Sequence, residues 1–197
     1  GSNEQKLEGA LRTLKDYGYE DIQTSGFGTV GMERYAAIVH DVGLRVVGDH
    51  GNFAMMCQDI DEVMRQHREI LQTDIMGIGG MPEQYRASKE TLLEFIDKVN
   101  CIAARIRPYG FKFSYHNHHF EFLRIDGNKT MMDYLVEGLD PETISFCLDT
   151  HWVQRGGGNP TTWIQKLKGR IDILHLKDMA VVGDTRDPKP QIVEIGQ

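Results

Sequence analysis

The stretch TISFCLD at residues 143–149 decides the fold. Small or polar side chains at Ser145, Cys147 and Asp149 alternate with the large apolar side chains of Phe146 and Leu148. A short apolar run of this kind predicts a β-strand. Successive side chains of a strand point to opposite faces, so the first set shares one face and the second set the other. An amphipathic stretch at 160–168 and a second apolar run at 171–175 follow, which predicts a strand–helix–strand unit with parallel strands.

The same alternation runs through the rest of the chain. The apolar spacing predicts helices at 4–17, 31–42, 58–72, between Pro82 and Arg107, and at 129–138. It predicts further strands at 21–24, 45–50, 74–78 and 111–116, a loop at 188–190, and a short extended stretch at 191–195. Strands that alternate with helices indicate an α/β protein with a parallel sheet, and we expect one domain over residues 1–197.

Two parallel architectures are open at this point, a doubly wound sheet and a closed barrel. The segment GFGTVG at 26–31 lacks the GxGxxG spacing of a dinucleotide-binding turn, so we interpret it as a loop between a strand and a helix. The glycines of 77–80 are interpreted as close packing at a strand end. Polar residues at the ends of several strands favour a (β/α)8 TIM barrel, whose active sites form there. The chain has fewer strand–helix units than a complete barrel, so we expect the first and last strands to be missing from it.

Composition excludes some partners. The formal net charge of −7 argues against a nucleic-acid partner, which would require a basic face. There is neither an apolar run of membrane-spanning length nor a signal peptide, so the sequence predicts no membrane contact. The 3 cysteines have no paired spacing, which predicts a reducing cytoplasm and cysteines that are small buried apolar residues.

Side chains that bind metals stand at the ends of three predicted strands. Strand parity places His116, Asp149 and His175 on the barrel face of their strands, with Leu174 and Leu176 packed against the surrounding helices. Alone, a histidine at a strand end is usually an ordinary hydrogen-bonded residue, and Asp149 could simply cap a turn. Together, aspartate and histidine on neighbouring strands favour a divalent metal site.

Two further residues follow from their places on strands. Lys177 shares the face of His175 and suits an anionic or hydroxyl-rich substrate, although it could equally pair with a nearby carboxylate. His50 ends another strand, where we expect it to contact the substrate.

Three segments carry a family resemblance, namely YHNHHFEF at 115–122, CLDTHWVQRGG at 147–157 and LHLKDM at 174–179. They resemble the sugar phosphate isomerase/epimerase family of the xylose-isomerase-like TIM barrel superfamily, which includes inosose dehydratases and tagatose epimerases. The resemblance extends over almost the whole chain. It is specific for the superfamily but not for a substrate.

The resemblance implies one divalent ion, Mn, Mg, Zn or Co, held by Glu, Asp, His and Glu from four successive strands. Asp149 and His175 match the second and third ligands. Glu121 is expected to be the first, with His116 as the rival, and both are candidate catalytic groups. The fourth ligand would lie on the final strand, beyond this chain. His118, His151 and Trp152 are expected to bind substrate; Trp152 departs from the family, because many epimerases have a second histidine there.

The resulting hypothesis is a metal-dependent sugar or keto-sugar isomerase or epimerase that works through an enediol(ate). Its partner would be a small carbohydrate, and a homo-oligomer stays open. One alternative is a lyase like inosose dehydratase, which shares the first proton abstraction. Another is a non-catalytic sugar-binding remnant. A DNA-repair endonuclease of the same superfamily is disfavoured by the acidic charge.

Overall fold

The computed structural model describes residues 2–196, which divide into two compact units. One unit comprises the residues up to Gly79 together with Ile102–Phe113, and the other comprises Gly80–Cys101 and the residues from Ser114 on. Within the described residues, no helix has both the length and the apolar composition of a membrane span. The single domain expected over 1–197 stays a prediction.

The first unit begins with alternating helices and strands. Its elements are α1 Asn3–Asp16, β1 Asp21–Thr24, α2 Met32–Val42, β2 Arg45–Asp49, α3 Phe53–Gln58, α4 Ile60–Gln66, a π-helical turn His67–Leu71, and β3 Ile75–Ile78. β1 and β2 pair in parallel, from Asp21 opposite Arg45 to Thr24 opposite Asp49. Leu11 of α1 and Val39 of α2 pack with Val46 of β2 in the unit's buried core.

The second unit carries the strands with the predicted site. The elements that lie wholly or partly in it are α5 Lys89–Ile106, β4 Lys112–His116, β5 Arg124–Asp126, β6 Lys129–Thr130, α6 Met131–Gly138, β7 Ile144–Asp149, α7 Thr150–Arg155, α8 Pro160–Lys166, β8 Ile171–His175, β9 Asp178–Asp184 and β10 Asp187–Val193, with short 3-10 turns at Glu83–Tyr85 and Phe120–Phe122. A further 3-10 turn, Arg107–Tyr109, belongs to the first unit. β4, β7 and β8 are neighbours in that order. β7 and β8 pair in parallel, with Asp149 opposite His175. β9 and β10 form an antiparallel hairpin.

Most predicted strands are confirmed within a residue of their ends, and the predicted helix over 58–72 is confirmed as α4 and the π-helical turn, which together span 60–71. The Asn52 side chain accepts hydrogen bonds from the Ala54 and Met55 amides and starts α3 earlier. Asp59 then leaves the helical conformation, and its side chain caps the separate helix α4. The helix α3 was not predicted, and the Asp59 cap places the start of the predicted helix at Ile60.

The predicted loop at 188–190 is wrong, because these residues lie in β10. Pro188 and Pro190 pair with Gly183 and Val181 in a two-stranded sheet. Both strands of such a sheet are edge strands, where a proline is tolerated.

Burial contradicts two further expectations. Leu174 and Leu176 are 43% and 56% exposed instead of packed under helices, because the chain passes from β8 directly into the β9–β10 hairpin. Among the cysteines, Cys147 is buried as predicted, but Cys57 and Cys101 are exposed on helices.

The glycine segments behave as interpreted. Residues 26–31 form a loop between β1 and α2. Gly80 has a φ of 147°, and a Cβ placed there would lie 2.8 Å from His118 Nδ1. Both the backbone conformation and the close approach of the ring require glycine.

Candidate functional site

Three neighbouring strands each bring to the same edge a side chain of a type that can hold a metal ion. His116 ends β4, Asp149 ends β7 and His175 ends β8. One ligand atom from each lies within 4.8 Å of the other two. The convergence that strand parity predicted is confirmed.

The Asp149 carboxylate is the centre of this group and is fully buried. Its Oδ2 lies 3.3 Å from His116 Nε2, 3.5 Å from His175 Nδ1 and 2.5 Å from Lys177 Nζ. Burial alone would raise the pKa of Asp149, but the contacts with His116, His175 and Lys177 outweigh it and hold the pKa below its usual range. The group is therefore a carboxylate at neutral pH. The predicted alternative role of Lys177, pairing with a carboxylate, is confirmed.

Backbone contacts of Asn117 and Thr150 fix the strand ends. The Asp149 amide donates to Asn117 Oδ1 at 2.8 Å. The Thr150 hydroxyl donates to the Lys177 carbonyl at 2.8 Å and accepts from the Lys177 amide at 2.9 Å. Residues that orient metal ligands matter for affinity nearly as much as the ligands. Sequence reasoning passed over both positioning residues, although each adjoins a predicted ligand.

Asp149 also caps a helix. Its Oδ1 accepts a hydrogen bond from the Trp152 amide at 3.2 Å, which starts α7. Capping was the alternative to a metal role for Asp149. It is present, but it uses Oδ1, whereas His116, His175 and Lys177 contact Oδ2.

Glu121 lies outside the group of converging ligand atoms. It is fully buried in the 3-10 turn Phe120–Phe122. Its Oε1 accepts from the Tyr115 hydroxyl at 2.7 Å, and its Oε2 accepts from the His118 amide at 2.8 Å. Burial raises the pKa of Glu121 to about 7, despite the opposing effect of Tyr115. Both oxygens therefore already have donors within the unit.

The predicted substrate-binding residues of the second unit form an aromatic cluster. The His118 ring stacks on Phe120 at 5.7 Å between centroids and lies 5.2 Å from Trp152. The His151 ring meets Trp152 at 4.8 Å. Arg155 lies over Trp152, 5.2 Å from the ring centroid. The cluster adjoins the converging ligands, because the rings of His116 and His118 are 4.8 Å apart.

One ring nitrogen of His118 is buried in this cluster without a hydrogen-bond partner in the described part of the chain. Burial lowers the pKa of His118 to about 4, so the ring is neutral at pH 7. Its Nδ1 is buried and has no hydrogen-bond partner among residues 2–196. The ring therefore borders the cluster as a neutral group, with Nδ1 packed against Gly80. His50, the remaining predicted contact, belongs to the first unit, where it follows β2.

Gly156 lies against the buried Phe122 ring, and this close contact gives a first testable prediction. A Cβ on Gly156 would lie 2.6 Å from Phe122 Cδ2. Because Phe122 is buried, we expect Gly156→Ala to lower the free energy of unfolding by about 1–3 kcal/mol through overpacking. Urea denaturation measures this change. Gly9→Ala is the matched control, since α1 has open space there, and it should raise stability by roughly 0.5–1 kcal/mol. Equal stability of Gly156→Ala and the wild type would contradict the packing described here.

The parallel strands of the second unit, with polar side chains at their ends, are those of an α/β protein. No family model and no curated protein matches the chain. Among solved structures it is similar to a sugar phosphate isomerase/epimerase from Parabacteroides distasonis ATCC 8503, with a TM-score of 0.73 and 23% identity over 92% of this chain and 72% of the other.

Two other solved structures share the fold at lower identity. A xylose isomerase-like TIM barrel protein from Mycobacterium smegmatis, in complex with magnesium, has a TM-score of 0.64 and 14% identity over 98% of this chain and 73% of its own. An L-ribulose 3-epimerase has a TM-score of 0.63 and 16% identity over 88% of this chain and 65% of its own. At these identities the similarity establishes the fold only. The activity has to be inferred from the residues of the site.

Proposed function

We propose that the chain carries the metal site of a sugar or keto-sugar isomerase or epimerase. The observation that carries the proposal is the convergence of His116, Asp149 and His175 within 4.8 Å at three neighbouring strand ends. Two imidazole nitrogens and one carboxylate oxygen suit Mn, Zn or Co, and a carboxylate also suits Mg. The fold shared with an isomerase/epimerase and an L-ribulose 3-epimerase supports the reaction class.

In this proposal His116 takes the first ligand position and Glu121 a supporting one. The His116 ring reaches the Asp149 carboxylate, whereas both Glu121 oxygens accept hydrogen bonds from Tyr115 and His118. Glu121 then holds the His118 backbone, and with it the turn that follows β4. Glu121 as a ligand remains the competing assignment.

The bound cation would supply Lewis-acid polarisation of a carbonyl and its neighbouring hydroxyl, which makes the adjacent C–H more acidic. The protein groups around it bind and orient the sugar. The Trp152 ring packs on the apolar face of the sugar, beside the neutral His118 ring. Lys177, one-third exposed beside Asp149, donates to a substrate oxygen. His151 is assigned to a substrate contact.

Proton exchange at carbon tests this function. The protein is incubated in deuterated water with a panel of ketoses and each of Mn, Mg, Zn and Co. We expect deuterium to enter the position next to the carbonyl, with interconversion of two sugars, as followed by NMR. Formation of a dehydrated dione would identify the protein as a lyase and not as an isomerase. Sugar binding without exchange would favour the sugar-binding remnant, and binding of neither sugar nor metal would overturn the proposal.

A further inference from the structure

A buried carboxylate and a buried imidazole face each other in the first unit. Asp49 is the last residue of β2, and His67 is the first residue of the π-helical turn. His67 Nε2 lies 3.0 Å from Asp49 Oδ1, and the two side chains are only 3% and 6% exposed. The metal proposal does not use this pair.

The acceptors around the His67 ring determine how many protons it carries. Nδ1 lies 2.8 Å from the Val63 carbonyl oxygen, which can only accept, so Nδ1 must carry a hydrogen. A neutral ring would then place an unprotonated Nε2 3.0 Å from the anionic Asp49 Oδ1, away from water, where the two negative partial charges repel. The contact is close but not aligned, because Nε2 makes no hydrogen bond among residues 2–196. A second ring proton, on Nε2, turns that repulsion into an ion pair.

The Asp49 carboxylate is also tied to the neighbouring strand. Its Oδ1 accepts a hydrogen bond from the Gly77 amide at 3.0 Å, and the Gly51 amide donates to the Gly77 carbonyl at 2.7 Å. A Cβ on Gly51 would lie 2.9 Å from Asp49 Oδ2, so the backbone closes around the carboxylate only with glycine there. The pair therefore sits where the ends of β2 and β3 join.

The backbone is distorted at the point that presents His67. The α-helix widens to a π-helical turn at this residue, and the following Gln72 has a φ of 55°, the only positive φ of a non-glycine residue in the described range. The amides of Gln72 and Thr73 both donate to the His67 carbonyl. Such turns are uncommon and recur at functional sites.

Few other ionisable groups face the pair. A cavity of about 370 Å³ adjoins it, lined from the β1–α2 loop, α2, the end of β2, α3 and α4. The ionisable residues of that lining, besides the pair, are His50 after β2 and Glu62 of α4. Glu62 is engaged by Arg65 and Gln66, which leaves Asp49 as the counter-ion of His67.

We propose that His67 is an imidazolium at neutral pH, and that its ion pair with Asp49 is a positioning device that fixes the end of β2 and the His50 that follows. Burial by itself lowers the pKa of His67, but Asp49 and the Val63 carbonyl outweigh it and raise the pKa above its usual value. The inference does not depend on the metal site.

The test is the protonation state of the ring, read by ¹⁵N–¹H NMR of the histidine side chains. The His67 signals are identified by their loss in His67→Gln. At pH 7.5 we expect both His67 nitrogens to show imidazolium shifts, and these signals should persist in His40→Gln, which alters a histidine of α2 outside the pair. A neutral His67 tautomer at that pH would overturn the proposal.

The Asp49→Asn variant tests the cause and the positioning role. It keeps the acceptor for the Gly77 amide but removes the charge. We expect His67 to become neutral at pH 7.5 and the His50 signals to shift. An unchanged imidazolium, or unmoved His50 signals, would each contradict the proposal. If the variant does not fold, the wild-type spectrum still decides the protonation state.

Thermal unfolding gives a second measurement of the ion pair. The raised pKa gives stability that is fully present below the unfolded-state pKa of about 6.5 and is lost as pH rises through the folded-state value. In the wild type we expect Tm to fall as pH rises through the folded-state pKa of His67. This fall should be absent in His67→Gln and present in His40→Gln. Identical slopes for His67→Gln and the wild type would count against the pair. Divalent cation affinity should not change in His67→Gln, so failure of the metal proposal leaves this one standing.

Discussion

Asp149→Asn is expected to weaken divalent cation binding on the order of 100-fold or more and to remove sugar isomerisation. Replacing an orienting neighbour of a ligand already lowers metal affinity about 10–100-fold, and loss of the charged ligand should exceed that. Asparagine can keep the Oδ1 acceptor that caps α7. Its amide group would then replace Oδ2 and point at Lys177, which also donates. The variant thus removes the ligand while preserving the helix cap.

The pH dependence of stability checks that the intended carboxylate was removed. Because the pKa of Asp149 is lowered in the folded state, its stabilisation is present above the unfolded-state pKa of about 3.9 and is lost in stronger acid. Asp149→Asn should therefore flatten the acid limb of the unfolding curve. We expect about 1–3 kcal/mol lower stability at pH 7, since Lys177 is 33% exposed and can turn to water.

Isothermal titration with manganese measures the affinity change. Asp184→Asn, which alters an exposed carboxylate of β9, is the control and should bind manganese like the wild type. Wild-type affinity in Asp149→Asn would remove Asp149 from the site.

Sequence patterns predicted the parallel strands β1 to β4, β7 and β8 well, because these strands are short and bounded by turn residues. Parity alone placed His116, Asp149 and His175 on one face, since the period of two is imposed by strand geometry. The order of β4, β7 and β8 then made these residues neighbours. This part of the site needed only local rules together with parallel pairing.

The rest depended on contacts that no local pattern contains. The exposure of Leu174 depends on whether a helix covers its face, and the chain forms a hairpin there instead. The division of α3 from α4 depends on the side-chain caps of Asn52 and Asp59 competing with helix continuation. Glu121 lies in a single 3-10 turn, where neither the strand period nor the helix period applies.

Glu121→Gln is expected to leave manganese affinity within about threefold of wild type, whereas His116→Gln should lower it tenfold or more. Glutamine fits the Glu121 pocket, because its carbonyl can accept from the His118 amide and its amino group can donate to the Tyr115 oxygen. The His116 ring has the Asp149 carboxylate as neighbour, so its loss opens the ligand group directly. Titration of the two variants in parallel therefore compares the two ligand assignments.

Glu121→Gln should also be more stable than the wild type in solutions above pH 7. Because the pKa of Glu121 is about 7 in the folded state and 4.5 for an ordinary glutamate, Glu121 favours folding below pH 4.5, and that stability is lost as pH rises to 7. The difference corresponds to a penalty of up to about 3 kcal/mol above pH 7, which a neutral glutamine avoids. Tyr115→Phe removes a donor to the carboxylate and should increase the penalty.

These two readouts separate a ligand from a buried support. If Glu121 binds the cation, its carboxylate leaves the Tyr115 hydroxyl and the His118 amide and contacts the metal. Glu121→Gln would then bind manganese more weakly. Added manganese would also abolish the loss of wild-type stability above pH 7. A Glu121 that holds the turn after β4 would show the penalty with and without manganese. The second outcome assigns the first ligand to His116, because His116 is then the remaining candidate at the end of β4.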